Sequence, residues 1–134
     1  MTNSSLKDQV EAAYNAWSAA FNKADRRAII ALYTDDALLH SADSIFSTGG
    51  LEKFFDALFA EPRLTNLTLK PGGAHANGDV IIASATWKAQ GKDANGQPAT
   101  IRGTAAHVFE KQSDGSFKMT LHSFPIQFGA QLTV

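Results

Sequence analysis

The first half of the chain has apolar residues at helical spacing. Large side chains recur in steps of three or four at Leu6, Val10, Tyr14, Trp17 and Phe21. This spacing places all of them on one stripe of a helix. Ser4 or Ser5 is available as its N-cap.

Two further helices and a short strand are predicted to follow. Asp25 is the expected N-cap of a second helix, whose apolar residues are Ile29, Ile30, Leu32 and Tyr33. We expect Asp35-Asp36 to end this helix, Ala37 to Ser41 to form a short strand, and Ile45-Phe46 to lie in a loop. Pro62 ends a third helix, whose apolar face comprises Leu51, Phe54, Phe55, Leu58 and Phe59.

The second half of the chain is typical of strands. β-branched and alternating residues fill four runs, at about 64–70, 80–90, 99–112 and 117–128. They are separated by the turn signals Asn77-Gly78-Asp79, Asn95-Gly96 and Ser113-Asp114-Gly115-Ser116. Helices followed by an antiparallel meander predict a two-layer α+β domain. Since no linker or internal repeat interrupts the chain, we expect residues 1–134 to form one domain.

The last hairpin sets two histidines opposite each other. A two-residue turn at Asp114-Gly115 pairs residues whose numbers add to 229, so His107 faces His122. The same face is predicted to hold Ile101, Ala105, Phe109, Thr120 and Phe124. The other face is predicted to hold Thr104, Ala106, Val108, Phe117, Met119 and Leu121. Because both faces are largely apolar, we expect a second copy of the chain to cover the outer one.

Composition narrows the class of protein. The 134 residues are 44% apolar and 19% charged, contain no cysteine and have a net charge of −1, which is typical of a globular domain without disulfides or thiolate metal sites. The lack of a basic stripe argues against a nucleic-acid partner. With neither a signal peptide nor a membrane-spanning stretch, the chain is expected to be cytoplasmic.

Three segments carry a family resemblance: Trp17 to Asp25, Leu32 to Ala37, and Ser113 to Lys118. In this order they resemble the NTF2-like superfamily, in its SnoaL-like and DUF4440 branches, over essentially the whole chain. The resemblance implies a cone-shaped α+β fold, with three N-terminal helices packed on a strongly curved, mixed and mostly antiparallel sheet. That fold serves ketosteroid isomerases, scytalone dehydratase, polyketide cyclases, limonene epoxide hydrolase, a kinase association domain and nuclear transport factor 2. The fold alone therefore does not decide the function.

The resemblance also places the three catalytic positions of ketosteroid isomerases on this chain. They fall on Trp17, Ser41 and His107, none of which is the family's catalytic residue. Serine does not abstract a proton at neutral pH without a neighbouring base, and Trp17 has only an indole N–H to donate. Standard isomerase activity is therefore not expected. The same positions line the hollow of the cone in the family.

His107 and His122 are the candidate catalytic residues. Two imidazoles on one face can act as an acid/base pair, can supply two of the ligands of a metal, or can be hydrogen-bonded partners inside a partly polar cavity or at an interface. The candidate ligand-binding residues are Tyr14, Trp17, Ser41, Phe54, Phe55, Phe109 and Phe124. No metal site or cofactor is expected, because a third ligand at metal-binding spacing is missing.

The sequence gives a less specific prediction for four other residues. By strand alternation, one of Trp87 and Lys88 must face the cone, and the sequence leaves open which. Arg102 is expected on the face opposite His107, where a salt bridge across an interface and an anion site are both compatible with it. His75 is expected to be solvated.

Three hypotheses follow for the function. The first is a homodimeric domain that binds a small hydrophobic or aromatic metabolite in the cone cavity and dimerises through its outer sheet face. The second is a cofactor-independent lyase or isomerase of the dehydratase or cyclase type, in which His107 and His122 act as acid and base. The third is a self-association module without a ligand. None of them involves a nucleic acid or a membrane.

Overall fold

The computed structural model describes residues 5–41, 44–47, 49–61 and 63–124. Within these residues the helices are Leu6–Asn22 (α1), Arg26–Ile30 (α2) and Gly50–Phe59 (α3). The strands are Tyr33–Ser41 (β1), Ser44–Phe46 (β2), Thr65–Asn77 (β3), Val80–Lys92 (β4), Pro98–Lys111 (β5) and Phe117–Ser123 (β6). They form one sheet in the order β2-β1-β6-β5-β4-β3, in which only β1 and β6 pair in parallel. The predicted α+β fold with a mixed, mostly antiparallel sheet is confirmed.

The first two helices begin where the sequence predicts. The Ser5 hydroxyl accepts a hydrogen bond from the Asp8 amide at 3.1 Å, and the Asp25 carboxylate accepts one from the Ala28 amide at 3.0 Å, so each satisfies an N–H that the helix leaves free. Ser4, the alternative cap, lies outside the described residues. So does Pro62; the third helix itself ends at Phe59.

Two predicted boundaries in the first half are wrong. Helix α2 ends at Ile30, and Tyr33 opens strand β1 instead of closing the helix, so Asp35-Asp36 lies within a strand. The reason is backbone pairing with β6, which begins where the Met119 amide donates to the Leu32 carbonyl at 2.8 Å. Ile45-Phe46, predicted as loop, belongs to β2 and pairs with His40 and Leu39 of β1.

The two central hairpins have the same kind of turn. Between β5 and β6, Gly115 has a φ of +88°, and the Gln112 amide donates to the Ser116 carbonyl at 2.7 Å. This is a three-residue loop closed by a glycine in the left-handed region. The turn at Asp93 to Gln97 repeats the pattern, with Gly96 at a φ of +77°.

A bulge at Thr120 then restores the predicted pairing of the histidines. Next to the turn, Phe109 is opposite Met119, one residue away from the predicted register. Beyond the bulge, Val108 is opposite Leu121 and His107 is opposite His122, as predicted. The prediction was therefore right at the histidines and wrong near the turn. Met119 and Phe117 pair with residues on the His107 face, not on the outer face.

The core lies between the helices and the inner face of the sheet. Along β4, residues 81, 83, 85, 87 and 89 are buried and their neighbours 82, 84, 86, 88 and 90 are exposed, which is the alternation of a sheet covered on one side. The outer face is less apolar than predicted, because Phe117 and Met119 point inward. Lys88, Arg102 and Thr104 are exposed on it.

One apolar row crosses the outer face of the sheet. Leu38, Leu121, Val108 and Ile82 stand directly opposite one another on four neighbouring strands. The side chains of Leu38 and Ile82 are 39% and 53% exposed. The last strand is described to Ser123, so its predicted extension over residues 125–128 lies outside the described residues.

Candidate functional site

His107 on β5 and His122 on β6 form a buried pair. Their ring centroids are 4.2 Å apart, with an angle of 33° between the planes. Only 1% of His107 and 2% of His122 is exposed. Both side chains point from the inner face of the sheet into the core, as the register of the hairpin requires.

Two tyrosines and a tryptophan supply hydrogen bonds to this pair. The Tyr14 hydroxyl lies 2.9 Å from His107 Nδ1, and the Tyr33 hydroxyl lies 2.7 Å from His122 Nδ1. Trp17 Nε1 donates to the Tyr33 hydroxyl at 2.9 Å. Because the indole can only donate, the Tyr33 oxygen accepts there. In the bond between Tyr33 and His122, the donor is set by the tautomer of the imidazole.

Two buried polar atoms have no hydrogen-bonding partner in the described part of the chain. They are Nε2 of His107 and Nε1 of Trp87. Trp87 is 3% exposed and lies on the same inner face of the sheet as His107. A buried polar atom without a partner costs about 1–3 kcal/mol, so such atoms are rare and call for a structural or functional reason.

Burial keeps the site uncharged at neutral pH. It lowers the pKa of His107 to about 3. The pKa of His122 lies well below its ordinary value of 6.5, first because of burial and second because of repulsion from His107. Burial also raises the pKa of the Tyr14 and Tyr33 phenols. The imidazoles are therefore neutral and the phenols protonated, and the site favours neutral over ionic ligands.

The predicted aromatic residues surround the histidines in one connected set of ring contacts. Centroid distances of 4.2 to 6.5 Å link, in order, Phe109, Tyr14, His107, His122, Trp17, Phe124, Phe54 and Phe55. Each of these side chains is at most 2% exposed. Ser41 is also buried, at the end of β1 on the side it shares with Leu39.

Of the remaining candidates, Trp87 contacts this set through Phe124, at a centroid distance of 5.3 Å, and Lys88, Arg102 and His75 lie away from it. Trp87 faces the core and Lys88 faces outward, which answers the question that the sequence left open. Arg102 is exposed on the outer face, directly opposite Lys88, and His75 is exposed on β3. No group of three or more potential metal ligands occurs among the described residues. In the same part of the chain, no helix has both the length and the apolar character needed to cross a bilayer.

Tyr33 and Trp87 belong to the site but are missing from the residues predicted for it. Tyr33 was assigned to the second helix, so its position opposite Met119 on β1 was not foreseen. For Trp87, the sequence does contain a pattern that predicts its position. The alternation of small apolar and polar residues along β4 places Trp87 with Ala83 and Ala85, and therefore inside.

The fold and the sequence were compared with known proteins. A family model for the SnoaL-like domain matches residues 14–118, and no curated protein matches the chain. A ketosteroid isomerase-like protein from Erwinia carotovora atroseptica superposes with a TM-score of 0.74 at 21% identity, over 86% of this chain and 91% of that one. An NTF-2 like protein of unknown function from Shewanella oneidensis gives a TM-score of 0.67 at 14% identity, with 87% and 96% covered.

A third similar structure is named as an association domain. It is a candidate calcium/calmodulin dependent protein kinase II association domain from Xanthomonas campestris, with a TM-score of 0.72 at 16% identity and 95% and 91% covered. At these identities the structures share only the fold with this chain. The family model covers most of the chain and agrees with that fold. The chain therefore belongs to the SnoaL-like domain family of the NTF2-like superfamily.

Proposed function

We propose that this protein binds a small hydrophobic or aromatic metabolite between the helices and the inner face of the sheet, beside His107 and His122. The observation that carries the proposal is His107 Nε2, a polar atom without a partner among the described residues inside a shell of aromatic rings. A ligand with a polar group at that point would supply the missing hydrogen bond. The rest of the ligand would contact apolar side chains, as in most small-molecule sites.

The packing sets a condition on how such a ligand enters. The rings around the histidines are buried and in mutual contact, so a ligand must displace some of them. Phe124 is the first candidate to move, because its ring lies between Trp17, His122 and Trp87 at centroid distances of 5.3 to 5.6 Å. Binding is then coupled to rearrangement of side chains.

A thermal-denaturation screen with neutral aromatic and alicyclic compounds tests the proposal. Ligands that bind the folded state raise its melting temperature by mass action. His107→Phe keeps a ring in place and removes the polar atom, so we expect about tenfold weaker binding of the best polar hit. His75→Phe is the matched control, because His75 is exposed on β3. A screen in which no compound class stabilises the protein would contradict the proposal.

A second candidate function is a lyase or isomerase reaction of the dehydratase or cyclase type. It is favoured by the 4.2 Å separation of the two imidazole rings, which lets both contact one ligand. Its weakness is basicity, since a base whose pKa is about 3 has little driving force for proton abstraction at neutral pH. We therefore place binding ahead of turnover. Proton NMR spectra of each bound compound before and after incubation distinguish the two, because only an enzyme changes the structure of the ligand.

We also propose that two copies of the chain associate through the outer face of the sheet. The supporting feature is the row of Leu38, Leu121, Val108 and Ile82, which is exposed or half-buried in the single chain. A second copy would cover this row and remove its apolar surface from water. Self-association of this kind is compatible with a ligand site on the opposite face.

A further inference from the structure

The Trp87 indole is buried on the inner face of the sheet, yet its N–H has no acceptor in the part of the chain that the structure describes. The side chain is 3% exposed, and Nε1 has no partner in the described residues. An indole nitrogen only donates, so the missing partner must be an acceptor atom. By contrast, the N–H of Trp17 is already donated to Tyr33.

Gly103 fixes where this N–H lies. Trp87 and Gly103 are directly opposite on β4 and β5. A Cβ atom added to Gly103 would come within 2.6 Å of Cε2 and Cζ2 and 2.7 Å of Nε1 of Trp87. The indole therefore lies against the backbone of β5, in space that any other residue at position 103 would fill.

Small side chains separate this N–H from the unpartnered atom of His107. The inner-face pairs from Trp87 to His107 are Trp87 with Gly103, Ala85 with Ala105, and Ala83 with His107. Four residue steps along β5 correspond to roughly 13 Å between Cα atoms. The two unpartnered atoms thus mark the ends of a floor of alanine and glycine, and Phe124 contacts Trp87 beside it at 5.3 Å.

We infer that Trp87 is a specificity-determining residue, whose indole N–H donates a hydrogen bond to a carbonyl oxygen on a fused-ring apolar ligand. The inference rests on the proposed ligand site and adds the class of ligand to it. A carbonyl oxygen accepts without donating, which matches the indole, and the floor of small residues suits a flat ring system of about two rings. A hydrocarbon of the same shape would leave the N–H unpartnered, so it should bind more weakly.

A matched pair of probes tests this inference on the full chain. They are 2-acetylnaphthalene, which carries a carbonyl, and 2-ethylnaphthalene, which replaces it by a methylene group. We expect the ketone to bind about tenfold or more tightly in isothermal titration calorimetry. Trp87→Phe should abolish this preference, and the readout is the ratio of the two Kd values, because the smaller ring changes the packing against both probes alike.

The wild-type protein offers a readout that does not depend on a variant folding. The chain has two tryptophans, so ¹⁵N-labelled protein gives two indole N–H signals. The ketone should shift the Trp87 signal downfield relative to the hydrocarbon complex, and the already bonded Trp17 signal serves as the internal reference. This difference appears only if the ligand accepts from Trp87.

The outcomes separate this inference from the proposed function. Equal binding of the two probes would overturn the role of Trp87 and leave the ligand site standing. A ketone preference that persists in Trp87→Phe, with no shift of the Trp87 signal, would assign the carbonyl to His107 and also overturn the inference. Binding of neither probe would count against the ligand site itself, and the inference would fall with it.

Discussion

Tyr33 bridges two other buried polar groups. Its hydroxyl accepts from Trp17 and is bonded to His122, whereas the Tyr14 hydroxyl makes its one described hydrogen bond to His107. The two tyrosines therefore differ in how many buried groups they bond, although both are buried to at least 96%. Buried groups of this kind are stable only while every member keeps its partners.

Replacing the two tyrosines by phenylalanine should show this inequality. Tyr33→Phe leaves both Trp17 Nε1 and His122 Nδ1 without a partner, while Tyr14→Phe affects only His107 Nδ1. At about 1–3 kcal/mol for each group left unpartnered, Tyr33→Phe should lower the free energy of unfolding by about 1–3 kcal/mol more than Tyr14→Phe does. Urea denaturation of both variants measures the difference. Equal losses would mean that the bond from Trp17 contributes nothing.

The buried histidines predict a loss of stability in mild acid. In the unfolded chain they titrate near a pKa of about 6.5, and in the folded state burial lowers the pKa of both. Below about pH 6.5 only the unfolded chain takes up these protons, so stability present above that pH is lost as the pH falls. Each imidazole should contribute a slope of about 1.4 kcal/mol per pH unit.

Urea denaturation at about pH 7, 6 and 5 measures this slope. Tyr14 and Tyr33, the titratable groups bonded to the pair, stay protonated throughout this window because burial raises their pKa. His107→Gln should roughly halve the slope, and His75→Gln, at an exposed position, should leave it unchanged. An unchanged slope in His107→Gln would show that His107 is protonated in the folded protein.

At the residue scale, the sequence predicted the two histidines and their aromatic shell better than it predicted Tyr33 and Trp87. His107, His122 and the aromatic shell follow from hydrophobic spacing and one hairpin register. Tyr33 and Trp87 do not, because each depends on a partner far away in the chain. Tyr33 joins the site only through parallel pairing of β1 with β6, a contact between strands about 85 residues apart that no local pattern encodes.

At the scale of elements, strands β4 and β5 pack side chain against backbone at Trp87 and Gly103. Gly103→Ala would place a Cβ 2.6 Å from the indole, so Trp87 must shift, and we expect a loss of about 1–3 kcal/mol. Gly73→Ala is the matched control, because a Cβ there meets nothing within 4 Å. It should change stability by less than about 0.5 kcal/mol. Equal effects in urea denaturation would mean that the indole has room to move.

Element prediction succeeded where the signal was local. The caps at Ser5 and Asp25 and the turn glycines Gly96 and Gly115 act within a few residues, and the structure has them in place. The predicted ends of elements were wrong where pairing with a neighbouring strand sets the end. Strand β3 runs on to Asn77 because β4 pairs with it as far as Val80, although residues 72–77 look like a turn in the sequence.

For the whole molecule, we expect the outer face of the sheet to decide the oligomeric state. Ile82→Lys places a charge at the β4 end of the apolar row, at a position that is 53% exposed, so the folded chain should tolerate it while the proposed dimer should not. Asn15→Lys, at an exposed position of helix α1 on the other side of the sheet, is the control. Sedimentation velocity should show a monomer for Ile82→Lys and a dimer for Asn15→Lys and the wild type. A monomeric wild type would contradict the proposed interface.

The architecture of the molecule was predictable because it depends on a repeated physical pattern. Apolar helix stripes and alternating strands specify two layers, and the order of three short motifs selects one fold among the two-layer folds. Ligand identity does not follow in the same way. It depends on a few polar atoms, such as Trp87 Nε1 and His107 Nε2, whose lack of partners within residues 5–41, 44–47, 49–61 and 63–124 becomes visible only in three dimensions.

The bulge at Thr120 makes the opposition of His107 and His122 insensitive to the detail of the turn. An even number of residues separates the two histidines, and two hairpins satisfy that count: a two-residue turn with a regular ladder, or the observed three-residue turn with one extra residue in β6. Deleting Thr120 would leave a regular ladder with the same two rings facing each other. The length of the hairpin can therefore change by one residue, and both buried histidines still lie opposite each other on the inner face of the sheet.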